Sequence, residues 1–486
     1  MLTEFFPKLK ENIVIKYINK FLYSKIYIAV IALMTLLCNI FGFELIWYYC
    51  LVAFVVIFPT LFSEDFFPVI APLAMTYSSV SIQSNNTETG TSLFVGPVKI
   101  HLFVIFGIIL FCLIGRMIYN IITKKYFPRR FPSLFVGYMI LGTMFLLGGL
   151  FSPYYEFKNL LFPLVAFLSI SLAYFILVFT VDWKKVKADY FMWVMSAYGL
   201  VVALEALYIV ISVKLGNTVF ISRLDQYFTG WGMRNNIAGQ ISLCVAAPVY
   251  LALKSKRPLI YLWAPIFMIV GSMLTNSRGG TLTCMVVLLL ALIVYFVKAD
   301  KVQRIKAAAF YGVVAIGFFS LYFVKNDQIK ELFNRFFAFK IGETDTYTIT
   351  QGRDLTWLHG IDDFYENELT GVGFFRCGDY MFDNFATTFV PRRYHNIYIQ
   401  FLAATGVMGL AAYFIHRGQT LKLAFQRKTL EKTFIYFTVL ALVISSLTDN
   451  HFFNIGPGLN YCIALAFIEG EELKFKYQDK ENVVAN

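Results

Sequence analysis

Charge is scarce in this chain. Asp, Glu, Lys and Arg make up 15% of its 486 residues, against about 25% in a soluble globular protein. Motifs for common chemistries are missing too. There is no GxxxxGK[ST] and no GxGxxG stretch, which excludes the usual phosphate-cradling loops and an ATP-driven reading. Neither DxD nor HExxH occurs, nor a carboxylate cluster at metal-ligand spacing, so no metal and no cofactor are expected. The seven cysteines form no CxxC pair. Six lie in apolar segments and Cys377 stands alone in a hydrophilic loop, so all seven read as structural. The first 20 residues, MLTEFFPKLKENIVIKYINK, carry charge and no cleavage signature, so a cleaved leader is not expected. Tracts of low complexity, linkers rich in Pro, Gly or Ser, and internal repeats are also missing.

What is present is apolar length. Hydrophobic residues make up 58% of the chain, and runs of about 20, enough to span a bilayer, recur almost throughout. They fall near 24–42, 45–62, 65–82, 98–119, 133–152, 159–181, 190–213, 234–253, 258–276, 279–298, 306–324, 396–415, 434–449 and 456–471. Strict alternation over segments of about 10 residues, the mark of a membrane barrel, is not seen. The expected fold is all-α, a polytopic membrane helix bundle of 12–14 spans. The third run is short and interrupted by proline, which suits a re-entrant segment. Glu205 and Arg116, both inside spans, are candidates because charge within a membrane is costly.

The charges orient the bundle. Loops 124–130, 182–189, 254–257, 298–306 and 416–433 hold nineteen Lys and Arg, whereas 83–97, 153–158, 214–233, 277–278 and 450–455 hold four. The positive-inside rule puts the first set in the cytoplasm. The formal net charge of +12 is thereby read as cytoplasmic loops rather than a nucleic-acid surface. The resulting organisation is a cytoplasmic N-terminal segment (1–23), a first block of spans (24–324), a large extracytoplasmic loop (325–395), C-terminal spans (396–471) and a cytoplasmic tail (472–486). A polar loop of that length in a compact bundle suggests function. Its stretch DLTWLHGIDDFYENE reads as an amphipathic helix, followed by the turn LTGVG.

Polar residues gather on the outer face. They are Arg234, Asn235 and Asn236 in GWGMRNNIAG, Arg278 in SRGG, and Arg353 and Asp354 in GRDLTW. Arg392, Arg393, Tyr394 and His395 in PRRYHN follow, then Asp449 and His451 in DNHFFNIGPG. Taken singly, each arginine reads equally well as a headgroup anchor, and the histidine as a satisfied polar residue. Taken together they suit a diphosphate-bearing lipid. Arginine forks bind phosphate bidentately and stay charged, while histidine can take a proton from a hydroxyl. An aspartate would orient that histidine or bind sugar hydroxyls.

These stretches resemble the O-antigen ligase and polymerase family of bacterial envelope glycan enzymes. The likeness is carried by SRGG at 277–280, GR-x3-W at 352–357 with GVG at 371–373, and HNIYIQFLAATGVMGL at 395–410, with GWGMRNNIAG preceding them. The resemblance implies a GT-C-like bundle in the cytoplasmic (inner) membrane with both termini cytoplasmic. It implies metal-independent, inverting glycosyl transfer at the outer face, from a glycan on undecaprenyl diphosphate to a glycan or lipid acceptor. Arg278 and Arg353 would hold the diphosphate and His395 would be the general base. Arg234, Asn236, Arg392, Arg393, Asn396 and Asp449 would bind substrate. Where the family often has Glu, this chain has Ala404, so that acid has no counterpart. A transporter or flippase of lipid-linked glycan is the alternative; it would call for charged residues near mid-membrane and repeated halves.

Overall fold

A computed structural model of the chain describes residues 13–41, 45–63, 65–79, 98–123, 131–153, 157–216, 234–323, 353–374 and 394–485. Among these residues there are helices and turns and no strand. Seventeen α-helices can be followed: α1 (Ile13–Leu22), α2 (Lys25–Phe41), α3 (Leu45–Phe62), α4 (Ile70–Ala74), α5 (Val98–Thr123), α6 (Phe135–Leu150), α7 (Phe157–Thr180), α8 (Ala188–Lys214), α9 (Arg234–Cys244), α10 (Ala247–Lys254), α11 (Leu259–Leu274), α12 (Arg278–Lys298), α13 (Lys301–Tyr322), α14 (Arg353–Glu366), α15 (Ile397–Phe425), α16 (Leu430–Ser445) and α17 (Ile455–Ala485). The all-α polytopic expectation is met. By length and composition, five helices among the described residues can cross a membrane, or six if the bent pair α1 and α2 is one span. Five shorter apolar helices of 10–17 residues, such as Phe135–Leu150 and Leu259–Leu274, accompany them. That criterion does not reach the expected 12–14.

The bundle has two chemically different ends. At one end buried ion pairs and hydrogen bonds lock the helices. Lys432 Nζ lies 3.2 Å from Glu472 Oε2 with both side chains fully buried, and Ser133 Oγ donates to Glu469 Oε1 at 3.0 Å. At the other end lie helix α14 and the polar residues singled out above. Segment 65–79 runs between the two ends as broken pieces: the 3-10 turn Phe67–Val69, then α4, then the turn Tyr77–Ser79. At its start, Asp65 N donates to Tyr23 Oη. At its finish, Ser78 abuts Gly456 at the head of α17. The prolines that suggested a re-entrant loop (Pro68, Pro72) instead divide a buried crossing.

Two intramembrane charges prove to be packed polar contacts. Glu205 accepts from Asn39 Nδ2 at 3.3 Å, and Arg116 Nη2 donates to the Ser63 carbonyl at 2.9 Å.

The largest departure concerns α15. The expected span 396–415 is not one straight element. The rings of Tyr398 and Phe414 lie 5.8 Å apart, and those of Phe401 and Tyr413 4.6 Å apart. Sixteen residues of straight helix would separate their ends by about 24 Å. The chain therefore folds back at Gly406, whose φ of 65° and ψ of −168° are non-helical and suit glycine alone. A short arm (397–405) rises to this corner and a long arm (407–425) descends from it.

Such a reversal strands the carbonyls of the first arm and the amides of the second. The turn after α14 supplies their partners. Val372 N donates to Ala403 O at 2.8 Å and Gly373 N to Ala404 O at 3.1 Å, while Val407 N donates to Glu368 O at 2.9 Å and Met408 N to Leu369 O at 3.3 Å. The long arm also carries His416 and Arg417 into the interior, where both bond to Tyr461 Oη. The expected loop 416–433 is thus helix as far as Phe425, and the expected tail is a continuation of α17.

Candidate functional site

The polar residues at this second end converge on one short segment, Ser446 to Asn454, between α16 and α17. Three helices begin against it and a fourth begins nearby. Ile397 N, heading α15, donates to Ser446 O at 2.9 Å. Gly279, in the first turn of α12, packs on Thr448. Gly239 of α9 packs on the His451 ring, and Asn454 Nδ2 donates to Asn236 Oδ1 on the same helix. Arg353, at the head of α14, is coupled electrostatically to Asp449 and to Arg234. Helix N-termini carry partial positive charge and unpaired N–H groups. Three of these four helices also start with arginine: Arg234, Arg278 and Arg353.

Local sequence explains each start. Asn396 caps α15, its Oδ1 accepting from Tyr398 N at 2.9 Å and Ile399 N at 3.4 Å. Ser277 caps α12 by accepting from Gly280 N at 3.4 Å. The two non-glycine residues with left-handed backbone among the described residues are Asn276 (φ 58°) and His395 (φ 52°). Each stands just before one of these caps. Such conformations cost energy and are held only by a well-determined surround. At His395 the surround is explicit. Tyr394 N donates to Gln400 Oε1 at 3.2 Å, Asn450 Nδ2 donates to the same oxygen, and Tyr394 Oη donates to Asp363 Oδ2 on α14.

His395 Nδ1 lies 3.1 Å from Asp449 Oδ1. The imidazole side chain is 37% exposed and the carboxylate 10%. The carboxylate also accepts from Asn450 N at 2.7 Å. Burial alone would raise the Asp449 carboxyl; the His395 hydrogen bond, the His451 and His395 charges and the Asn450 amide outweigh it and hold the group below the usual carboxylate range. Asp449 is therefore an anion, and an anion facing Nδ1 favours the tautomer with hydrogen there. That leaves Nε2 as the proton acceptor. Burial pushes the Arg353 guanidinium down from the usual arginine value; Asp449 opposes this and Arg234 adds to it.

Of the residues singled out from sequence, the structure gathers Arg234, Asn236, Arg278, Arg353, His395, Asn396 and Asp449 around the 446–454 segment. Arg278 is exposed and Arg234 and Arg353 are half-buried. The Asn396 side chain is engaged within the protein: its Oδ1 is the helix cap and its Nδ2 donates to Leu447 O at 3.2 Å. Asp449 holds the histidine. Arg392 and Arg393, together with Cys377, lie outside the described residues. Sequence reading missed Asp363, Gln400 and Asn450 as a supporting network. Gln400 was visible only as a motif letter, and a buried Asp363 has no sequence signal inside a polar helix. Among the described residues no group of three or more His, Cys, Asp or Glu side chains gathers to hold a metal ion.

No curated protein matches the chain. A model of the family described as O-Antigen ligase matches residues 263–414, a stretch that contains Arg278, Arg353, the Gly406 corner and His395, with Arg234 and Asp449 outside it. The matched stretch, about a third of the chain, is thus similar to the O-antigen ligase family.

Proposed function

We infer that the protein is a membrane glycosyltransferase of the ligase or polymerase type. It moves a glycan from undecaprenyl diphosphate to an acceptor hydroxyl at the outer face of the cytoplasmic membrane, with both termini on the inner side and a GT-C-like architecture. The observation that carries this reading is the His395–Asp449 pair set among the N-termini of four helices, three of them headed by arginine.

In the reaction, Asp449 holds His395 Nδ1–H and Nε2 accepts the acceptor's hydroxyl proton. The acceptor oxygen attacks the anomeric carbon. The bond from that carbon to the diphosphate oxygen breaks, and both electrons leave with the lipid diphosphate. A single displacement of this kind inverts the anomeric centre. The leaving group departs as an anion, so it needs positive charge and no proton. Arg278 and Arg353 supply that charge, with Arg234 behind them and the helix N-termini adding their dipoles. No metal is required by these steps.

The reading is tested in nanodiscs with a short glycan on undecaprenyl diphosphate. Release of lipid diphosphate, glycan length and the anomeric configuration of the product are followed. Longer or transferred glycan with inverted configuration is expected. Movement of the donor between leaflets with no cleavage, or a product of retained configuration, would overturn it.

A further inference from the structure

A second site lies at the end of the bundle opposite His395, independent of the reading above. There a cavity of about 360 Å³ is lined by Asn19, Lys20, Tyr23, Asp65, Phe67, Lys185 and Val186. Three observations point to its occupant. First, α1 bends by 68° from α2 and leaves Ile13, Val14, Tyr17 and Phe21 exposed. An amphipathic helix so placed lies in a membrane interface, which puts the cavity at the depth of lipid headgroups. Second, two ammonium groups flank it. Lys20 is exposed on α1, and Lys185 has a side chain 70% exposed, 3.5 Å from Asp182. Third, the wall holds a carboxyl that is 6% exposed, Asp65, fixed by Phe67 N–H to Oδ1 at 2.7 Å. Beside it the Tyr23 and Phe67 rings stack with centroids 5.8 Å apart.

An anionic headgroup alone would use the lysines and be repelled by Asp65. A cation alone would use Asp65 and be repelled by the lysines. One ligand satisfies both: a headgroup with a phosphate and, a few bonds away, an ammonium. Burying a carboxylate is costly unless cations compensate; Lys185 and Arg116 already act on Asp65 electrostatically, and an ammonium in the cavity adds to them. An ammonium with hydrogens to donate suits the carboxylate better than a bulky quaternary one.

We propose that this cavity binds the headgroup of a zwitterionic aminophospholipid, its phosphate held by Lys20 and Lys185 and its ammonium by Asp65 beside Tyr23 and Phe67. The site anchors α1 and the α7–α8 connection to the bilayer.

The test is native mass spectrometry and thermal unfolding of the purified protein in detergent with added dioleoyl phosphatidylethanolamine, phosphatidylcholine or phosphatidylglycerol. Ethanolamine lipid is expected to bind at least about tenfold more tightly than the other two, equivalent to about 1.4 kcal/mol, and to raise the unfolding temperature. Asp65→Asn should remove the preference for ethanolamine over glycerol headgroups, and Lys20→Ala with Lys185→Ala should weaken both. Equal binding of the three lipids by the unaltered protein overturns the proposal without reference to any variant. So does preference for phosphatidylglycerol, which marks a general basic surface, or an unchanged preference in Asp65→Asn.

Discussion

The hydroxyl of Tyr394 donates to the carboxylate of Asp363, and both side chains are buried. The bond joins the residue before His395 to the helix that Arg353 begins, so the two chemically distinct parts of the site are held at one spacing. Tyr394→Phe and Asp363→Asn should each slow turnover by about tenfold or more and leave donor binding nearly unchanged, read as kcat falling with KM constant. A parallel rise in KM alone would mean that the pair only steadies the fold.

In the proposed reaction Asp449 would orient and polarise His395 without touching the reacting atoms. Asp449→Asn presents an amide that can face Nδ1 with the wrong hydrogen-bonding sense. The expected loss is about 10²-fold in kcat, within the range for a disturbed general base, with the helix packing intact by circular dichroism. Retained activity would remove the dyad from the mechanism.

Arg353→Lys keeps the charge and loses the planar fork. Removing one such stabilising donor typically costs about 10²–10³-fold in kcat, and the lysine variant should fall near the lower figure. Full activity in that variant would make Arg353 an interfacial anchor.

Acid should act on stability through Asp449. Its carboxyl sits below the usual range in the folded protein. Its stabilising contribution is thus complete above the unfolded value of about 3.9 and lost only as pH falls from there through the lowered folded value. The difference in unfolding temperature between the unaltered protein and Asp449→Asn should shrink as pH falls below about 4. A difference that grows on acidification through that range would contradict this sign.

Gly406 fixes the corner of α15. A Cβ there would stand 2.3 Å from the Leu369 carbonyl oxygen, in addition to the cost of about 1–2 kcal/mol for a left-handed non-glycine residue. Gly406→Ala should lower the unfolding temperature by several degrees and loosen α14, exposing it to limited proteolysis. Unchanged stability would mean that the corner is not under this constraint.

Sequence made the class of fold and most of the site legible, and the reasons are physical. Apolar length marks membrane helices, and SRGG, GRDLTW and HNIYIQ are short because each is the start of a helix, where cap and charge must sit within a few residues. The hairpin was not legible. Residues 396–415 are apolar throughout, so hydropathy cannot distinguish a straight span from two packed arms. The only local mark is one glycine among several. The broken crossing at 65–79 was half legible, since its prolines signal interruption but not direction. Asp449 was seen as a candidate with two roles, orienting the histidine or binding sugar hydroxyls, and sequence could not choose between them because 54 residues separate it from His395.

The most direct measurement is single-turnover release of lipid diphosphate in nanodiscs by the unaltered protein and by His395→Ala, with donor affinity measured on the same samples. A fall of about 10²–10⁴-fold in rate is expected, with affinity changed little if the arginines hold the donor. An unchanged rate in His395→Ala would contradict it.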